Sequence, residues 1–449
     1  MKTRISPKFS ARVSAPTLAA ILCLMLSGVA PAQSVSSADR DRGRTMLRDM
    51  KEDIKKYYYD SSYHGVDIDA RFKAAEEKMK TATSLGQVFG IIAQAMVDLN
   101  DSHTFFLPPS RITRTEYGWQ MQMVGDRCFV TAVKPGSDAE AKGLKVGDEI
   151  VSVDNFGPTR DNFWKLQYLY YTLNPKPGVR VVAVSPDGKE RELELLAKVR
   201  QMKQTLDLTL RDGGNDFFNI IREAADENRL NRHRYYEPGD EVFIWKMPRF
   251  DLSEVEVDEM MGKVRNHQAL ILDLRGNGGG LVLTLQRLVG HFFDRDVKIA
   301  DLKGRKEMKP ITAKTRGDKV FKGRVVVLVD SRSGSASEVF ARVMQLEKRG
   351  TVLGDRSAGA VMVSRQRPHQ IGIDVVSIYH SSVTEADAIM SDGKSLERVG
   401  VTPDEPVLPT AADMAALRDP VMARAAELVG FKLDPAKAGS LFPVEWAVR

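Results

Sequence analysis

In Val325-Val326-Val327-Leu328-Val329-Asp330-Ser331-Arg332-Ser333-Gly334-Ser335-Ala336-Ser337-Glu338-Val339-Phe340-Ala341, an aliphatic run meets a cluster of small residues. The aliphatic part shows no polar alternation, as expected of a strand covered on both faces in a parallel sheet packed between helices. The small residues break the strand, and a helix is predicted to follow. A hydroxyl at Ser335 would then stand at the carboxyl edge of the sheet. Main-chain N–H groups of the opening helical turn point there toward developing negative charge. The same residues also fit a plainer role, with Ser335 as N-cap and Glu338 completing a capping box.

A second stretch has the same design. Ala269-Leu270-Ile271-Leu272-Asp273-Leu274 predicts another buried strand, and Arg275-Gly276-Asn277-Gly278-Gly279-Gly280 follows it. Consecutive glycines let a backbone approach a ligand closely and present its N–H groups. A phosphate-binding loop is a poor rival, because no Gly-Lys-Ser/Thr follows. Gly278, Gly279 and Gly280, with the N–H of Ala336, are therefore candidates for an oxyanion and substrate-backbone site. Further strands are expected at 242–246 and 351–353, with helices near 255–264, 283–293 and 338–346. Alternating strand and helix argue for a mainly parallel sheet over residues 236–410.

The flanks differ in character. Residues 1–32 carry Lys2, Arg4, Lys8 and Arg12, an apolar run from Leu18 to Val29, and Ala30-Pro31-Ala32, the pattern of a cleaved secretory signal. Its removal takes four basic residues and no acidic one, so the net charge falls from +6 to +2 (6 − 4). With no dense Lys/Arg stripe besides, nucleic acid is not an expected partner. The apolar run is too short to span a bilayer comfortably. Beyond it only Cys128 remains, in a strand-like context, so no internal disulfide is expected; no Cys/His spacing suggests zinc, and no cofactor is implied.

Residues 33–112 read as helical, with Met46, Leu47, Met50, Ile54 and Tyr57 at helical spacing, and end at Asp101-Ser102-His103-Thr104. Short strands alternate with turns over 115–200. Residues 201–235 are charged and expected to form a linker helix. Residues 411–449 form an Ala-rich helical tail, expected to pack outside the core.

Within 115–200, the run Val133-Lys134-Pro135-Gly136-Ser137, an Ala-rich segment, then Gly143-Leu144 and Gly147-Asp148-Glu149-Ile150 resembles a bacterial PDZ domain. Such domains take extended peptide ends as an added strand. Asp-Leu-Arg-Gly-Asn-Gly-Gly-Gly, Ser-Gly-Ser-Ala-Ser-Glu, Gly354-Asp355-Arg356, Asp392-Gly393 and Gly400-Val401-Thr402-Pro403-Asp404 resemble, in order and spacing, the core of the tail-specific (C-terminal processing) serine protease family. The resemblance implies a multidomain α/β fold: a mainly parallel-sheet protease core, an N-terminal helical domain and a PDZ domain. It implies a secreted or periplasmic endopeptidase whose substrates are polypeptides bound through extended or C-terminal segments, with Ser335 as nucleophile.

One departure matters. The branch of that family that uses a Ser-Lys dyad carries its lysine where this chain has Ala360, within Ser357-Ala358-Gly359-Ala360-Val361. The branch resembling the tricorn proteases instead uses a Ser-His pair ahead of the PDZ domain and a glutamate before the Gly-Val-x-Pro-Asp motif. These fall on Ser102, His103 and Glu397. The resemblance then implies His103 as general base, with Ser102 and Glu397 orienting it. A catalytically inactive member that binds peptides or other ligands, and a PDZ adaptor, are the alternatives.

Overall fold

The computed structural model describes residues 35–111, 113–201, 229–372 and 376–446. The expected signal segment, residues 202–228 of the expected linker helix and the last three tail residues lie outside them, and the end of that linker is a strand, Arg234–Tyr236, instead of helix.

Helices Ser37–Tyr57, Ile68–Met79 and Leu85–Val97 open the described chain. Each has a side-chain N-cap: Ser36 accepts from Asp39 N, Asp67 from Ala70 N, and Ser84 from Gln87 N. Their apolar faces meet at Leu47, Met50, Ile54, Phe72 and Ile92. Phe106, Tyr379 and Val383 complete that cluster, so the helices share a core with strands far along the chain.

Strands Trp119–Val124, Arg127–Val133, Glu149–Val153, Gly178–Val184 and Glu190–Leu196 form an antiparallel sheet in sequential order. Helices Asp138–Ala141 and Phe163–Gln167 belong to the same unit. Cys128 lies buried in its second strand, and burial pushes the thiol up to about 12, the behaviour of an inert packing residue.

The six-stranded sheet runs in the order Glu405–Pro406, Thr351–Gly354, Arg324–Val329, Ala269–Asp273, Val242–Lys246, Arg234–Tyr236. The first five are mutually parallel, and Arg234–Tyr236 closes the edge antiparallel. Asp273 stands opposite Leu328, so the glycine loop and the serine loop leave the sheet side by side at its carboxyl edge. Helices Glu254–Val264, Val282–Val289 and Ala336–Leu346 cover one face. Helices Pro420–Leu428 and Pro435–Ser440 cover the other, burying Val421, Met422, Ala425 and Ala426 against Ile244, Ile271 and Leu328. This corrects the expectation for the tail: it is one layer of the core, because a strand that is apolar on both faces needs cover on both.

A mainly parallel core describes this sheet alone. The other three sheets are antiparallel. Strand Ser377–Met390 pairs with Met362–Ile371, with Phe105–Leu107 and with Val297–Gly304, and Val297–Gly304 pairs with Ile311–Ala313. The expectation missed these strands because their faces mix buried hydroxyls with aliphatics instead of showing an apolar run. No helix among the described residues is long and apolar enough to cross a membrane.

Candidate active site

Three serines crowd the turn after Arg324–Val329, and their hydrogen bonds separate them. Ser333 Oγ donates to Leu274 O at 2.8 Å, and Ser337 Oγ to Asn277 O at 2.9 Å. Both hydroxyls are buried and stitch the turn to the glycine loop. Ser335 Oγ makes no cap hydrogen bond, so its side chain is left uncommitted. Ser335 N donates to Glu338 Oε2 at 3.0 Å, as a capping box would have it, while Glu338 N donates to the main-chain Ser335 O at 2.9 Å. Ser335 has φ 54° and ψ −120°, a region where a residue with a Cβ is strained. Its N–H is pinned a second time by Ala360 O at 2.8 Å.

The glycine loop lies against this elbow. A Cβ on Gly279, whose φ is +100°, would come within 2.6 Å of Ser335 Cβ, so only glycine fits. Gly279 N–H donates to Asn277 Oδ1 at 2.8 Å and is therefore spent. Among the described residues the amides of Gly278, Gly280 and Ala336 take no intramolecular acceptor. All three residues line one hollow with Ser335 and His103. Gly279 thus supplies close approach, and its neighbours supply the open donors.

His103 arrives from the other side, in a turn held by Asp101. Asp101 Oδ1 accepts from His103 N at 2.9 Å, Thr104 N at 2.7 Å and Thr384 Oγ1 at 2.7 Å. His103 Nδ1 lies 2.7 Å from Ser102 Oγ, and Ser102 Oγ donates to Glu397 Oε2 at 2.8 Å. Glu397 also accepts from Ser102 N at 2.8 Å and Val361 N at 2.9 Å. A hydroxyl has one proton. If that proton goes to Glu397, Ser102 Oγ must accept from Nδ1–H, and the lone pair of His103 is on Nε2. Burial pushes the imidazole below its ordinary value, partly offset by the charge of Asp101. Burial pushes the Glu397 carboxyl up, against the hydrogen bonds that favour its ionised form. No hydrogen bond joins His103 to Ser335; such contacts tighten when substrate arrives. Among the described residues no lysine lines the hollow, and Ala360 contributes only main-chain groups nearby.

Residues 243–407 match the family model described as peptidase family S41, and residues 108–162 match that of the PDZ domain. The chain is 26% identical over 306 residues to a tail-specific protease of Haemophilus influenzae, covering 64% of this chain and 40% of that protein. It is 25% identical over 401 residues to a chloroplastic C-terminal processing peptidase of Tetradesmus obliquus, covering 85% and 80%. The molecule is a serine-type peptidase. The two domains and the two relatives support the C-terminal processing protease family for this peptidase. A crystal structure of mature CPAF shares its fold, with TM-score 0.62 at 16% identity over 84% of this chain and 95% of that one.

Sequence reasoning underrated one residue of the peptidase. Glu338 is fully buried. It accepts from Ser357 Oγ at 2.6 Å, Gly359 N at 2.7 Å, Ala360 N at 2.9 Å and Ser335 N. Burial pushes its carboxyl up to about 7, against those four hydrogen bonds. The capping-box spacing marked Glu338, but nothing local pointed to partners about twenty residues later in the chain. The remaining histidines serve elsewhere; His291, for example, is buried 2.8 Å from Asp258.

Proposed function

We propose that this peptidase is a secreted or periplasmic endopeptidase of the tricorn-like Ser/His/Glu branch, cleaving polypeptides through an acyl-enzyme. The observation that carries the reading is the chain His103 Nδ1–Ser102 Oγ–Glu397 Oε2, with His103 in the same hollow as an uncommitted Ser335 hydroxyl and no lysine there among the described residues. Ser335 Oγ attacks the substrate carbonyl and gives its proton to His103 Nε2. Glu397, through Ser102, steadies the imidazolium that forms. The open N–H groups of Gly278, Gly280 and Ala336 donate to the oxyanion, an effect worth roughly 3–4 kcal/mol per donor in other hydrolases. His103 returns the proton to the leaving amine, then activates the water that releases the acyl group.

The domain reading is proposed with it: a signal removed after Ala32, a helical segment to 112 carrying Ser102-His103, a PDZ domain over 115–200, a linker over 201–235, the protease core over 236–410 and the tail over 411–449. The PDZ domain recruits polypeptide ends by strand addition. Trp119–Val124 is an edge strand, as that mode requires.

A serine-directed fluorophosphonate, followed by peptide mapping, tests the assignment. Modification is expected on Ser335. His103→Ala should slow labelling by about two orders of magnitude or more, the scale of a lost general base. Lys348→Ala and Lys394→Ala, whose side chains are outside the hollow, should label like the parent. No labelling of the folded parent would instead favour a ligand-binding protein. A dead lysine variant beside an active His103→Ala would overturn the choice of base.

A further inference from the structure

The hollow beside Ser335 has a volume of about 260 Å³. Its wall is aliphatic: Val282 and Leu285 from helix Val282–Val289, Val339 from helix Ala336–Leu346, Ile311, and the methyl groups of Ala300 and Ala388. Among the described residues, the side chains with nitrogen or oxygen atoms around it are those of His103, Ser335 and Ser364, and none carries a fixed charge. Ala300 and Ala388 are buried in two paired strands; a longer side chain at either place would fill the space. The chain on either side of Val282 is apolar too. Leu281, Val282 and Leu283 are 56%, 38% and 64% exposed just after the glycine loop, a solvent-facing patch of the kind that marks a binding surface.

Position relative to the open amides gives this hollow its role. Gly278, Gly280 and Ala336 line it together with Ser335. A carbonyl that takes hydrogen bonds from those amides is bonded directly to its own Cα. The side chain nearest the hollow is therefore that of the residue contributing the attacked carbonyl, not of the residue after the cut.

We propose that this hollow is the specificity pocket for the acyl-side residue of the scissile bond, and that it selects Leu, Met or Phe and rejects charged side chains. This rests on Ser335 as the nucleophile. An apolar side chain loses its water contact against Val282, Leu285, Ile311 and Val339, while a Lys or Asp side chain would lose hydration and meet no counter-charge. Ala300 and Ala388 leave the space open where longer side chains would fill it, and a single methyl group from an Ala substrate leaves it largely unfilled.

Internally quenched peptides that differ only at one position, with cut sites mapped by mass spectrometry, test this. Cleavage is expected directly after Leu, Met or Phe, with kcat/KM about tenfold or more above Ala and about a hundredfold or more above Lys or Asp. Val282 is the first residue of its helix, where a carboxylate suits the helix dipole, so Val282→Asp should fold, as circular dichroism can check. It places a negative charge on the pocket wall and should raise the Lys-to-Leu ratio by about tenfold or more. Ile311→Ala, which widens the hollow, should move preference from Leu toward Phe. Equal cleavage after all residues, a preference attached to the residue after the cut, or ratios unmoved in both variants would overturn the pocket assignment. Fluorophosphonate mapping of the parent keeps the failures apart. Label on Ser335 with indiscriminate cleavage sinks the pocket alone; no label on Ser335 sinks the catalytic reading beneath it.

Discussion

Glu397→Gln removes one charge and almost no volume, and the geometry of its three hydrogen bonds sets the result. The carboxylate accepts from Ser102 N and Ser102 Oγ at 2.8 Å and from Val361 N at 2.9 Å. A glutamine amide has one oxygen and one NH₂. With its oxygen at the Oε2 position, Ser102 Oγ and Val361 keep their acceptor, but the NH₂ faces Ser102 N–H. With the oxygen at the Oε1 position, the NH₂ faces Val361 N–H and also donates to Ser102 Oγ. Ser102 must then turn its own proton toward His103 Nδ1, which drives the imidazole proton onto Nε2, the nitrogen needed as base. Either orientation leaves one N–H opposed to another donor, costing about 1–3 kcal/mol of stability.

Either orientation also removes the charge that steadies imidazolium, and the second blocks the base outright. Acylation should fall by about 10²- to 10⁴-fold, or about 3–5 kcal/mol of transition-state stabilisation. The assay is the second-order rate of fluorophosphonate inactivation together with kcat/KM on a peptide, with thermal unfolding of the same preparation as a control. A folded Glu397→Gln enzyme within about threefold of the parent, beside an inactive His103→Ala, would refute the relay.

Two further outcomes follow from the same site. Burial holds the His103 imidazole below its ordinary value, so kcat/KM should rise on an acid limb with an apparent pKa below about 6.5. The linked stability has a definite sign: the native state binds fewer protons than the unfolded chain as pH falls through 6.5, so this contribution is complete above that pH and is lost below it. A limb above about 7.5 would contradict a buried imidazole base. At Ser335, φ 54° strains any residue with a Cβ, so Ser335→Gly should exceed Ser335→Ala in urea-unfolding stability by about 1 kcal/mol, with both inactive; equal stability would remove the strained elbow from the account.

What could be read in advance follows from how local its cause is. Val325–Val329 and Ala269–Leu272 are aliphatic without interruption, and they are the two central strands of the parallel sheet. Asp101-Ser102-His103-Thr104 carries its turn chemistry in four residues, because Asp101 accepts from the N–H groups two and three positions on. Strand Ser377–Met390 is the opposite case. Ser381, Ser382 and Thr384 are buried yet polar, and their hydroxyls are spent on Asp53, on His103 O and on Asp101. Each acceptor lies hundreds of residues earlier in the chain, so no periodicity in the strand could mark it as core. The tail helix was misplaced for a related reason: Val421, Met422, Ala425 and Ala426 form an ordinary apolar stripe, and only the uncovered second face of the sheet tells where that stripe belongs.

The segment 355–361 shows why the departure at Ala360 could be seen in the sequence but not its consequence. At one end, Asp355 accepts from Gly125 N and Arg160, and Arg160 also donates to Arg356 O, joining this segment to the antiparallel sheet of residues 119–196. At the other end, Ala360 O holds Ser335 N, Gly359 and Ala360 donate to Glu338, and Val361 N holds Glu397. A side-chain amine at 360 is not needed for any of these bonds, because residues 359–361 contribute to them only main-chain N–H and C=O groups. The loop therefore keeps its place between the serine elbow and the glutamate while bearing a methyl group. In the mechanism proposed above, His103 is joined to Glu397 through Ser102 and lines the same hollow as Ser335, so the base comes from a different part of the chain without any change to the loop that frames it.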